Sequence, residues 1–127
     1  MSDAARPLDG RRILIVEDEY LIAMEVKRWL LAAGADVVGP VPTVRRALDL
    51  IEDDGIDAAV LDVNLGNGDT VYPVADKLSA LGVPYLFATG DVNISGADTY
   101  RQQPRLEKPF VEAELLRATG KLVGRST

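Results

Sequence analysis

Five side chains that could do chemistry stand where short apolar runs of this chain should end as buried strands. They are Glu17, Asp18, Asp62, Thr89 and Lys108. Carboxylates at such density repel one another unless a hard divalent cation lies among them, and Mg²⁺ is the usual ion for oxygen ligands. A hydroxyl and an ammonium beside that metal suit a phosphoryl group. The residue types therefore predict a Mg²⁺ site that handles phosphate.

These side chains meet only if the apolar runs are strands of one parallel sheet. Short apolar runs alternate along the chain with amphipathic stretches, which is typical of βαβ units. The carboxyl ends of the strands then share one edge, and ligands bind in the crevice outside it. We therefore expect an α/β fold, a doubly wound parallel sheet with the site at that edge.

The predicted strands cover residues 12–16, 36–39, 58–61, 85–88 and, most weakly, 106–107. Apolar residues spaced by three and four predict the buried faces of four helices. For the first helix these are Ile22, Val26, Trp29, Leu30 and Ala33, and for the second Val44, Ala47, Leu48 and Ile51, with Thr43 as N-cap. For the third they are Val71, Val74, Ala75, Leu78 and Leu81, and for the last Leu115, Ala118 and Leu122.

A fourth helix should lie between Gly90 and Gln103, where the sequence is a poor helix former. Four weak helix residues occur there: Asn93, Ser95, Gly96 and Asp98. We expect a short or mobile fourth helix in this segment.

The length of 127 residues suits one domain. We predict a disordered segment over 1–10, the domain over 11–124 and a tail over 125–127.

Composition excludes several classes of function. With 20 acidic against 14 basic residues and a pI near 4.6, the surface should repel nucleic acid. The chain has neither Cys nor His, which excludes thiolate chemistry, a His nucleophile or phospho-carrier, and the usual zinc sites. No apolar run approaches the roughly 20 residues of a membrane helix. We expect a cytoplasmic protein that binds neither membranes nor nucleic acid.

Each of these motifs also has an ordinary structural interpretation. An acidic pair after a strand can cap a helix, Asp62 and Thr89-Gly90 can be turn residues, and Lys108-Pro109 can end a strand. Their occurrence after different strands, at one sheet edge and in a fixed order, favours a joint site.

Taken together, these features resemble the receiver domains of bacterial two-component response regulators, from Arg12 to about Val123. The resemblance rests on Glu17-Asp18, Asp62, Thr89, Lys108-Pro109-Phe110 and the fivefold βα layout. It implies a five-stranded, flavodoxin-like (βα)5 fold. It also implies a signalling domain that is no enzyme beyond catalysing its own phosphorylation and dephosphorylation.

The same resemblance assigns roles to the residues. Asp62 would accept a phosphoryl group from a phosphohistidine on a sensor histidine kinase. Mg²⁺ would bind the side chains of Glu17, Asp18 and Asp62 and the backbone carbonyl of Asn64. Lys108 would contact the acyl phosphate and Thr89 would be the switch hydroxyl. The phosphorylated surface would act on an unknown downstream protein target.

Within the family, Phe87-Ala88-Thr89-Gly90 is similar to the FATG signature of stand-alone receivers that are commonly partnered with kinases of the HWE type. The sequence departs from family patterns at three places. Val92 stands where that subgroup has Tyr, Arg105 stands where many receivers have a switch aromatic, and Leu65-Gly66 replaces a common proline. Arg105 puts the usual Thr-aromatic switch in question, and Leu65-Gly66 should leave its loop freer.

Two alternatives belong to other classes. A phosphatase of the haloacid dehalogenase type also forms an aspartyl phosphate with Mg²⁺, but it needs a second Asp where this chain has Asn64. A pseudo-receiver would bind partners without phosphorylation, against which the retained Asp62 and Lys108 argue.

Helix 1 also carries apolar residues outside its predicted buried face: Leu21, Met24 and Leu31. Scattered surface apolar residues are normal. Leu21 and Met24 nevertheless lie on the turn nearest Asp18, where a kinase must approach, and we predict that they form its docking surface.

Overall fold

The computed structural model describes residues 7–90 and 98–124, and within them five strands alternate with five helices. The strands are β1 (Arg12–Val16), β2 (Asp36–Val41), β3 (Ala58–Leu61), β4 (Tyr85–Thr89) and β5 (Arg105–Glu107). The helices are α1 (Tyr20–Ala32), α2 (Val44–Asp53), α3 (Tyr72–Ala80), α4 (Asp98–Arg101) and α5 (Glu112–Gly124).

The strands form one parallel sheet in the order β2-β1-β3-β4-β5. This order confirms the predicted doubly wound α/β fold, because the chain leaves β1 to one side for β2 and to the other for β3. Strands β1 and β3 pair in register up to Val16 opposite Leu61, so they end level with each other. Their carboxyl ends therefore present the residues that follow them to one crevice.

The sheet separates two apolar layers. Successive side chains of a strand point to opposite faces, so Leu14 and Val16 of β1 pack towards α2 and α3, whereas Ile13 and Ile15 pack towards α1 and α5. All four are essentially inaccessible to solvent. Covering both faces of the central strands fixes their depth and register, and with them the positions of the residues at their ends.

One predicted strand end and one predicted core position need correction. Strand β2 continues to Val41 instead of stopping at 39, since a shift in register lets it pair again with Val16. Leu81 is 54% exposed, so its assignment to the buried face of α3 is wrong. It is the C-cap residue, where the chain leaves the helix. Thr43 caps α2 as predicted, because its side chain accepts a hydrogen bond from the Arg46 amide.

The predicted disorder of residues 1–10 is wrong for Pro7–Gly10, which form a turn packed against the domain. The Leu8 side chain is fully buried, and its amide donates to the Ala33 carbonyl at 3.1 Å. The rest of that segment, 1–6, and the predicted tail over 125–127 lie outside the described residues.

The described part of α4 has four residues, Asp98–Arg101. Residues 91–97, where the remainder of the predicted short or mobile helix falls, lie outside the described part of the chain; they include Val92, Asn93, Ser95 and Gly96. Tyr100 attaches α4 to α3. Its ring stacks on Tyr72 with 4.3 Å between centroids, and its hydroxyl donates to Asp76 at 2.5 Å.

None of the helices in the described ranges is long and apolar enough to cross a membrane.

Candidate functional site

The predicted site residues converge at the carboxyl edge of the sheet, where backbone hydrogen bonds hold the strand ends level. The Asp62 amide donates to the Val16 carbonyl at 2.8 Å, and the Lys108 amide donates to the Thr89 carbonyl at 3.0 Å. A hydrogen bond to the neighbouring strand therefore fixes the backbone of both Asp62 and Lys108.

Glu17, Asp18 and Asp62 form a compact set of carboxylates. One oxygen from each lies within 4.8 Å of the others. Glu17 and Asp62 are buried, 6% and 5% exposed, whereas Asp18 faces solvent. Two fixed carboxylates and one open to water match the needs of Mg²⁺, which prefers oxygen ligands and keeps several waters. The donor set fits the predicted metal.

Lys108 joins these acids with its ammonium group. Its Nζ lies 2.9 Å from Glu17 Oε1, 2.8 Å from Glu19 Oε1 and 3.2 Å from Asp62 Oδ2. Glu19 is the site residue that the sequence argument missed. The only signal for it was its place as the third acid of Glu17-Asp18-Glu19, because its contact with Lys108 spans 89 residues of sequence.

Burial sets the electrostatics of the site. It raises the pKa of Glu17 to about 8, helped by a hydrogen bond with Asp62 and opposed by Lys108. Burial likewise raises the pKa of Asp62, against the effects of Glu17 and Lys108. Burial alone would lower the pKa of Lys108, but its hydrogen bonds to Glu19 and Glu17 outweigh that effect and raise it. Negative charge is thus in excess, and a divalent cation would relieve it.

A cavity of about 370 Å³ opens beside these acids. Its walls are formed by Asp18, Glu19, Asp62, Asn64, Gly66, Thr89, Gly90 and Lys108. All the predicted metal, phosphoryl and switch residues except the buried Glu17 therefore line one space. Gly66 has φ +84°, and a Cβ there would lie 3.3 Å from Asp18 Oδ2. Glycine in place of the common proline leaves room for that carboxylate.

A second cavity of about 500 Å³ lies next to it, between α1 and the residues after β5. Its lining is mainly apolar and includes Leu21, Trp29 and Phe110. The structure separates the two predicted docking residues: Leu21 is 82% exposed beside this cavity, whereas Met24 is half-buried and does not line it. Tyr20 is a further exposed apolar residue on the same turn, which the sequence argument did not include.

Comparison with solved structures places the chain close to receivers. It is 43% identical to SdrG from Sphingomonas melonis Fr1, whose solution structure it matches with a TM-score of 0.79 over 97% of this chain and 99% of that one. The BeF3-activated conformation of SdrG from Pseudomonas melonis Fr1 is 46% identical, with a TM-score of 0.75 over 88% and 95% of the two chains.

The chain is also similar to two regulatory proteins over part of their length. The transcriptional regulatory protein PdtaR of Mycobacterium tuberculosis is 29% identical over 128 residues, which covers 98% of this chain and 60% of PdtaR. The response regulator MprA of Mycolicibacterium vanbaalenii is 35% identical over 126 residues, covering 91% and 52%. The chain thus spans between half and two thirds of these relatives. No family model matches it.

Proposed function

Since this chain belongs to the receiver domains of bacterial response regulators, we propose that Asp62 accepts a phosphoryl group from a sensor histidine kinase while Mg²⁺ is bound beside it. The chain is a signalling domain. Its relatives favour neither the haloacid dehalogenase nor the pseudo-receiver alternative.

The observation that carries this proposal is the position of Asp62. Its carboxylate is buried at the end of β3, borders the cavity, and lies 3.2 Å from the Lys108 ammonium. An Oδ atom of Asp62 attacks phosphorus, the bond between phosphorus and the imidazole nitrogen of the donor breaks, and an acyl phosphate remains. Such a transfer needs positioning and charge neutralisation more than covalent chemistry from the protein.

Lys108 and Thr89 act on the transferred group. The ammonium offsets the negative charge of the phosphoryl oxygens in a site where burial strengthens electrostatic interactions. The Thr89 hydroxyl, at the end of β4 on the cavity wall, donates to a phosphoryl oxygen and so links phosphorylation to the chain that follows. Arg105 is exposed on β5, so in this domain the switch works without an inward aromatic at that position.

Mg²⁺ is proposed to bind the carboxylates of Glu17, Asp18 and Asp62 and the carbonyl of Asn64. The three acids supply oxygen ligands close to one another, and Asn64 lines the same cavity. When bound, the ion neutralises carboxylate and phosphoryl charge. The high pKa of Glu17 supports the assignment, because a cation can take the place of its proton.

The kinase is proposed to dock on α1 beside the site, at Leu21 and Met24. Leu21 is exposed at the apolar cavity that adjoins Lys108, so a helix carrying a phosphohistidine could reach Asp62 from there. The FATG signature favours a kinase of the HWE type. The proposed receiver domain is residues 11–124, with Pro7–Gly10 packed onto it.

Intact mass spectrometry after incubation with a small phosphodonor and Mg²⁺ tests the central proposal. One phosphoryl group should be added to the natural chain and none to Asp62→Asn or in excess EDTA. Asp69→Asn removes an exposed acid from the loop after β3 and should be modified normally. Equal modification of the Asp62→Asn variant would refute the assignment of Asp62.

Docking is tested separately with Leu21→Glu and Met24→Glu. Both variants should accept a phosphoryl group from a small donor at the normal rate, whereas transfer from the cognate kinase should slow, most strongly for Leu21→Glu. Equal loss of both reactions would indicate a folding defect, whereas a normal rate of transfer from the kinase in both variants would contradict the docking proposal.

A further inference from the structure

Lys108 has one carboxylate partner that the proposed mechanism does not use, and that partner is Glu19. We propose that the Glu19 carboxylate holds the Lys108 ammonium while no phosphoryl group is present, and competes with that group for it. Glu19 is thus a positioning residue for Lys108. The inference rests on the proposed function of Asp62.

The three partners of Lys108 differ in what they can do. Glu19 Oε1 makes the shortest contact, 2.8 Å, against 2.9 Å for Glu17 and 3.2 Å for Asp62. The Glu17 and Asp62 side chains are 5% and 6% exposed, whereas that of Glu19 is 58% exposed. Glu19 can therefore release Lys108 and turn into water, whereas the Glu17 and Asp62 side chains are held in a buried place from which they cannot turn into water.

The backbone of Glu19 is fixed while its side chain is directed at Lys108. Glu19 is the N-cap of α1, and its carbonyl accepts from the Ala23 amide at 2.9 Å. Its amide donates to Glu17 Oε2 at 3.1 Å. Its carboxylate makes no capping hydrogen bond. An N-cap side chain usually caps its own helix. The Glu19 carboxylate instead contacts Lys108, at the entrance of the site.

A phosphoryl group must displace Glu19 from Lys108, because both carry negative oxygens that require the same ammonium. Glu17 and Asp62 would by then be engaged with the metal, and Glu19 would be the remaining competitor. Glu19 also lines both cavities, so it stands between the phosphoryl site and the apolar docking cavity. Its release would couple arrival of the phosphoryl group to the surface beside α1.

The affinity for beryllofluoride at saturating Mg²⁺ measures this competition. Glu19→Gln should bind beryllofluoride about threefold to fivefold more tightly than the natural chain, the scale of a partly exposed ion pair. Glu25→Gln is the matched control: it removes an acid that lines the same apolar cavity and pairs with Arg28. Its affinity should stay unchanged. An unchanged or weaker affinity in Glu19→Gln would overturn the inference.

Glu19→Asp separates the contact from simple charge repulsion, since it keeps the charge but shortens the side chain by one methylene. If the Lys108 contact is what matters, Glu19→Asp should bind as tightly as Glu19→Gln. Affinity equal to that of the natural chain would mean that charge alone acts, and the inference would be wrong. A natural chain that neither binds beryllofluoride nor is phosphorylated on Asp62 would instead refute the proposed function and the inference with it.

Discussion

Two regions of the domain differ in how firmly they are held: the central strands β1 and β3, the firm side, and β5 with α4 at one edge of the sheet, the weak flank. Strands β1 and β3 are buried along almost their whole length and pair with strands on both sides. On the other flank, β5 has three residues, two of them exposed, and four residues of α4 are described. The acids of the site stand on the firm side, and Lys108 stands on the weak flank. Chemistry that requires fixed geometry is thus separated from the part that can respond to it.

Lys108 and Thr89 connect the two sides. The ammonium of Lys108 contacts Glu17 and Asp62, while the backbone amide of Lys108 donates a hydrogen bond to the Thr89 carbonyl. A phosphoryl group that takes up the ammonium of Lys108 and the hydroxyl of Thr89 would therefore pull on the weak flank without disturbing β1 or β3.

Truncating one leucine on each side should expose the difference in stability. Leu61 of β3 is fully buried, whereas Leu106 of β5 is only half-buried. Leu61→Ala should lower the free energy of unfolding by about 3 to 4 kcal/mol, within the range for deleting a buried side chain. Leu106→Ala should lower it by about 1 to 2 kcal/mol, because less apolar area is lost. Urea denaturation measures both, and a larger loss in Leu106→Ala would contradict the division.

The same contrast explains what sequence could predict. The bounds of β1 and β3 were predicted correctly because continuous apolar runs mark strands covered on both faces. The end of β2 was predicted wrongly, because Gly39-Pro40 is typical of a strand end. In the structure a shifted register lets pairing with β1 resume at Val41. Sequence patterns report local periodicity, and this irregularity depends on the neighbouring strand.

Contacts distant in sequence were missed for a similar reason. Leu8 is an isolated apolar residue among polar ones, and its backbone partner Ala33 lies at the end of α1. In sequence, Glu19 is an ordinary acid at the start of a helix, and its contact with Lys108 forms only in the folded domain. The convergence of Asp18, Asp62 and Lys108 could be predicted, since it needs only the rule that parallel strands end at one edge.

Removing the link at Lys108 should affect chemistry strongly. Lys108→Met should slow phosphorylation of Asp62 by a small donor about a hundredfold, the scale for losing one group that stabilises developing charge. Lys121→Met, an exposed lysine on α5, is the control and should react normally. Intact mass measurements over time give the rates. A rate close to normal in Lys108→Met would remove Lys108 from the mechanism.

Removing a carboxylate on the firm side should instead affect the metal. Asp18→Asn should weaken Mg²⁺ binding at least about tenfold, about 1.4 kcal/mol, because it replaces a charged oxygen ligand with a neutral one. Asp49→Asn on α2 changes the net charge equally, away from the site, and should bind normally. Calorimetric titration decides, and an unchanged affinity in Asp18→Asn would exclude it as a ligand.

Magnesium binding should also depend on pH through Glu17. Its pKa is raised to about 8 by burial, so at pH 7 the metal must displace a proton. The affinity for Mg²⁺ should rise several-fold between pH 7 and 9 and then level off.

Without Mg²⁺, the same raised pKa of Glu17 should make stability fall as pH rises from about 4.5 to about 8, because the unfolded chain releases this proton first. Glu17→Gln should remove both dependences, and their persistence would assign them to another group.

The smallest effect should be the response of the weak flank to activation. When Thr89 and Lys108 turn to a phosphoryl group, Gly90 and β5 should move with them, so we predict that the described residues between them, 98–103, respond to activation. Beryllofluoride with Mg²⁺ should slow amide exchange about twofold over 98–103, where Tyr100 attaches α4 to Tyr72 and Asp76. Amides of β1 and β3, already protected by pairing on both sides, should change much less. Equal changes on the two sides, or none over 98–103, would show that the firm and weak sides respond as one body.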